Sequence, residues 1–135
     1  MSEIAQKAIN VVVKVFDSKN VEIPLCISII SGDGLELYST STCDPEQMES
    51  VNILGLIAFE ELKTSFHDRT NEEINVLIFR TSNKECYVAP VAENVFLVAA
   101  ALPGTVGNVM PLLDGLSAQV AFELGKLDVG GSENG

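Results

Sequence analysis

Between residues 74 and 102 the sequence passes through apolar runs at 74–81, 86–91 and 95–102, separated only by Ser82-Asn83-Lys84-Glu85 and Ala92-Glu93-Asn94. Turns this short join only antiparallel neighbours, because a parallel pair needs a crossover of a dozen or more residues. The runs therefore predict a three-stranded meander. Upstream, residues 25–30 form another brief apolar run after Pro24. Leu35-Glu36-Leu37-Tyr38 then alternates apolar with polar beyond Ser31-Gly32-Asp33-Gly34, the pattern of a β-hairpin.

Helical spacing brackets these two groups. Ile4, Ala8, Val12 and Val15 share one face over 3–19, although the β-branched run Val11-Val12-Val13 weakens that helix. Asp44 can cap and Pro45 suits a first helical position. Gln47 follows the cap by three, so a helix is predicted over 45–66. Val106, Met110, Leu113, Leu116, Val120 and Leu124 predict a last helix over 106–127. The order is αββαβββα. It implies an α+β fold with one antiparallel sheet, one helix on one face and two on the other.

At 135 residues the chain fits a single domain, placed at 1–127, with a Gly/Ser/Asn-rich flexible tail at 128–135. A fold of this size buries about two-thirds of its surface without metals or disulfides. A hydrophobic content of 47% excludes intrinsic disorder. No apolar run approaches the ~18 residues of a membrane helix, and Met1-Ser2-Glu3 does not open a secretory signal, so a cytoplasmic location is expected. The net charge of -11 repels phosphate backbones and anionic lipid, which argues against nucleic acid and membrane insertion. Cys26, Cys43 and Cys86 make no paired motif, and His67 is the one histidine, so neither a disulfide framework nor a metal site is expected.

Nucleophilic and acid–base chemistry finds no constellation either. His67 is placed in a loop beside Asp68 and Arg69, while Cys26 and Cys86 sit in apolar strands as inert thiols. Glu60-Glu61 and Glu72-Glu73 read as solvated faces. Neither Ser31-Gly32-Asp33-Gly34 nor Pro103-Gly104 has the context of a phosphate loop. No cofactor and no enzymatic activity are expected.

The helix over 45–66 carries more apolar surface than one sheet face needs. Met48, Val51, Leu54, Gly55, Ala58, Phe59, Leu62 and Phe66 fall in one arc of about 140°, expected to be the core face. Ile53, Leu56 and Ile57 then form an opposite stripe bordered by Glu60. Leaving such side chains in water forgoes about 1.5–3 kcal/mol each, so a protein interface is expected there. The run opening the meander, with Ile74, Val76, Leu77, Ile78, Phe79 and Arg80, is expected at the sheet edge, where a second copy could pair with it.

The element order, the hairpin from Ser31-Gly32-Asp33-Gly34-Leu35 to Ser39-Thr40, and Val88-Ala89-Pro90 ahead of Phe96-Leu97-Val98 resemble the roadblock superfamily, which includes roadblock-type dynein light chains and MglB-like proteins. The resemblance spans about residues 3–127. It implies a sheet ordered 2-1-5-4-3 and a three-layer, roadblock/profilin-like plan. It also implies dimers, with itself or a paralogous chain, built on the third strand and second helix. Members of the family act as non-catalytic platforms that bind small Ras-like GTPases, or as structural light chains linking motor or signalling complexes. Two departures are visible: Pro24 stands where many members have glycine, and the last helix is long, as in the MglB-like group. A small-molecule sensor of profilin or PAS-like plan is a further alternative.

Overall fold

A computed structural model describes residues 25–39 and 45–134, together with positions 6, 10, 13 and 14. In chain order the elements are β1 (Leu25–Ser31), β2 (Glu36–Ser39), α1 (Pro45–Thr70), β3 (Leu77–Arg80), β4 (Glu85–Ala92), β5 (Val95–Ala101) and α2 (Thr105–Asn134). The strands form one antiparallel sheet in the order β2-β1-β5-β4-β3. Of the helix expected over 3–19, Gln6, Asn10, Val13 and Lys14 are helical, and the remainder lies outside the described residues, as do Cys43 and Asp44.

β5 is buried along its whole length, as a central strand covered on both faces must be. Alternate residues feed two separate cores. Ile27, Ile29, Tyr87, Leu97 and Ala99 pack with Leu113, Leu116, Val120 and Leu124 of α2. Ile30, Val88, Phe96 and Val98 pack with Met48, Val51, Leu56 and Phe59 of α1. Phe59 meets Phe96 edge-on, with ring centroids 5.6 Å apart. Gly55 brings α1 close to the sheet: a methyl group there would lie 3.0 Å from Val88 Cγ2. At the far end the two hairpin turns lock together, as Gly32 N–H donates to the carbonyl of Asn94 at 3.0 Å.

Three boundaries differ from those the sequence predicts. α1 continues four residues past Phe66 and ends where Asn71, at φ 60°, donates its N–H to the His67 carbonyl, an αL cap. His67 and Arg69 therefore stand in its last turn rather than in a loop. β3 is four residues long instead of eight. Its register pairs Leu77 with Val88, so the next hydrogen-bonded pair would be Asn75 with Pro90, and proline has no N–H to give. Finally, α2 keeps a helical backbone to Asn134, past the end predicted for it at 127. Propagating an existing helix is far easier than nucleating one.

Candidate interaction surface

Among the described residues β3 closes one side of the sheet and pairs only with β4. Thr81 N–H donates to the Lys84 carbonyl at 2.8 Å across the turn, which fixes the alternation of the ladder. Counting back through the register, Leu77 and Phe79 turn their amides toward β4. Ile78 and Arg80 turn theirs outward, to the open edge. Side chains alternate as well: Leu77 and Phe79 pack into the α1 core, whereas Ile78, on the α2 side of the sheet, is 43% exposed.

α1 lies over this half of the sheet with its buried line through Met48, Asn52, Gly55, Leu56 and Phe59. The core arc is thus turned relative to the one the sequence predicts. Leu56, expected in the exposed stripe, is 6% exposed and part of the core, while Leu54, expected inside, is 63% exposed. Pure periodicity could not choose between the two arcs because both are apolar. Gly55 belongs to both arcs; the difference lies beside it, where Asn52 and Leu56 are buried in place of Leu54 and Ala58.

At about 100° per residue, Ile53 and Leu54 each stand roughly 130° from the buried line, on opposite flanks. Two contacts orient these flanks. The Gly55 position faces the Phe79 ring of β3 at 3.8 Å, which marks the Leu54 side as the β3 side. Ile53 Cγ1 is 3.8 Å from where a Cβ on Gly34 would be, so the Ile53 side faces the β1–β2 hairpin. Ile53 and Ile57 are 41% and 49% exposed, and Glu60 is exposed beside them. They do not adjoin the β3 edge.

The residues from Glu60 to Thr70 are all exposed, because the last three turns of α1 run beyond the sheet. Leu62 and Phe66 continue the buried side of the helix into this overhang, where they are 38% and 44% exposed. The sequence assigned both to the core, since periodicity reports which face is apolar and not where the sheet beneath it ends. Of the other predicted residues, Ile74 and Val76 precede β3 and are partly buried, one against each core.

Arg80 is held in place. Its Nε and Nη2 donate to one Glu85 oxygen at 3.3 and 2.9 Å, and Glu85 is itself mostly buried. On the same side of the sheet, the Tyr87 hydroxyl donates to Asp114 Oδ1 at 2.8 Å and lies 3.2 Å from Ser117 Oγ. Burial, with the neighbouring Asp114 charge, pushes the Tyr87 hydroxyl up to about 12. Burial also raises the Cys86 thiol, which favours the unreactive protonated form. His67 pairs with Glu73 at 3.4 Å in an exposed position. Among the described residues no His, Cys, Asp and Glu side chains gather into a group that could hold a metal ion, and no helix is long and apolar enough to cross a membrane. The arrangement offers an edge for strand pairing and apolar helix surface for a partner.

No protein-family model matches the sequence, and no curated protein does. Solved structures do match the fold. MglB from Myxococcus xanthus superposes with a TM-score of 0.70 at 14% identity, over 94% of each chain. The gliding protein MglB from Thermus thermophilus gives 0.65 at 14% identity, over 93% of this chain and 94% of its own. A Roadblock/LC7 domain from Streptomyces avermitilis gives 0.55 at 11% identity, over 76% of this chain and 81% of its own. The fold is the roadblock fold.

Proposed function

We propose that the chain, over residues 1–127, is a non-catalytic scaffold that works as a dimer and binds a small Ras-like GTPase. The observation that carries the dimer is the open edge of β3, with the outward amides of Ile78 and Arg80 beside exposed apolar surface on the same flank of α1. Pairing two β3 edges about a two-fold axis satisfies both sets of backbone groups. It also brings Leu54, Leu62 and Phe66 of each copy toward the seam. An axis through Arg80 would oppose two arginines and is disfavoured. An axis at Phe79 instead sets Ile78 against Arg80.

The partner is a second copy or a paralogous chain of the same fold; the self-complementary edge favours a second copy. The GTPase rests on the fold likeness and on the roadblock resemblance in the sequence. Any influence on the GTPase acts by positioning that protein's own switch segments, since the sequence predicts no catalytic constellation for this chain.

Light scattering behind size exclusion tests the dimer: twice 14.5 kDa is expected. Leu62→Glu with Phe66→Glu should return the mass to that of one chain while helical ellipticity persists. Pull-down with small GTPases held in each nucleotide state tests the second part. State-dependent capture is expected, and capture of none, or equally of both states, would leave a linker subunit as the better account.

A further inference from the structure

The outward flank of α1 and the tip of the β1–β2 hairpin form a second apolar surface, apart from the β3 edge. Ile53 and Ile57 are one helical turn apart and Glu49 and Glu60 continue the same line at either end. All four are exposed. Beside Ile53 lies the hairpin tip at Gly34, where Leu35 is 61% exposed and Glu36 follows it, also exposed. Lys63 is the one basic side chain of α1 ahead of its last turn. The result is a small aliphatic centre with carboxylates around it.

From this geometry we propose that the Ile53–Ile57 flank and Leu35 dock an amphipathic, basic helix of another polypeptide. Its aliphatic side would cover the two isoleucines and its Lys or Arg residues would meet Glu36, Glu49 and Glu60. Charge complementarity selects this occupant. A second copy of the chain would bring the same carboxylates against one another, and like charges in contact oppose association. An anionic lipid surface is repelled for the same reason. The hydrophobic centre supplies affinity and the carboxylates supply orientation and speed of encounter.

The test uses the full chain and a fluorescent peptide of about 18 residues, long enough to hold a helix, with leucines on one face and lysines on the other. Saturable binding is expected, weakening as salt rises because exposed charges are screened. Ile53→Ser with Ile57→Ser should weaken it about tenfold. Leu102→Ser, which removes a still more exposed aliphatic group elsewhere, should leave it unchanged. Helical ellipticity reports that both variants fold. Equal binding by all three proteins would overturn the site, because it would mean diffuse attraction to an acidic chain. Loss of dimer mass in the Ile53/Ile57 variant would also overturn it, showing that the flank contacts a second copy. Dimer mass in the wild type is a separate reading, so failure here leaves the β3 pairing standing.

Discussion

The Tyr87 hydroxyl, on β4, donates to the Asp114 carboxylate of α2 at 2.8 Å. The side chain is otherwise sealed in the core, so this bond gives a buried phenol a partner and fastens the last helix to the sheet in one register. Tyr87→Phe should lower stability by about 1 kcal/mol in urea unfolding. A change near zero would show that the bond is not formed in solution.

The same hydroxyl makes stability sensitive to alkali. Its folded-state value is pushed up to about 12 from an ordinary 10. Below pH 10 the phenol is protonated in both states and folding is unaffected. Between 10 and 12 the unfolded chain loses its proton first, so stability falls as pH rises. Tyr87→Phe should flatten that decline, which chemical denaturation across the range would reveal.

Edge pairing makes a separate demand on Ile78. Its N–H points away from β4, so Ile78→Pro removes no bond of the sheet and leaves one copy folded. It should abolish the dimer. Circular dichroism with light scattering distinguishes loss of pairing from loss of fold; a dimer that survives the proline would mean that β3 is not the seam.

The orientation of α1 can be read by comparing neighbouring positions. In the Ile78→Pro background, Leu56→Ala should cost about 2–5 kcal/mol. Leu54→Ala, at a solvent-facing site, should stay within about 0.5 kcal/mol. Reversed magnitudes would put the predicted arc, and not the observed one, against the sheet. Gly55→Leu should cost about 1–3 kcal/mol by overpacking, since even a methyl group there would sit against Val88.

Ser28 is buried on the α1 side of the sheet, and its hydroxyl has no hydrogen-bond partner among the described residues. Ser28→Ala removes that orphaned group and should raise stability by about 1 kcal/mol. A loss of stability would indicate that the hydroxyl is satisfied in solution.

Much of the architecture was legible because it follows from local rules. The spacing between apolar runs forbids parallel crossovers, and Asp33-Gly34 and Glu93-Asn94 place the turns. The period of α2 names Leu113, Leu116, Val120 and Leu124 as its buried line, and they are buried. What the chain could not declare locally was where one element ends beneath another. Leu62 and Phe66 repeat the apolar period of α1 as faithfully as Phe59 does, yet only Phe59 has Phe96 below it. Leu54 and Leu56 are chemically alike and flank the same glycine, and only packing against the sheet decides which one is covered. Likewise β3 stops at Leu77 because of Pro90, thirteen residues further along the chain and opposite only once the strands have paired. Periodicity is a property of one segment in isolation, whereas burial and strand length are properties of two segments in contact, and only the folded chain brings those pairs together.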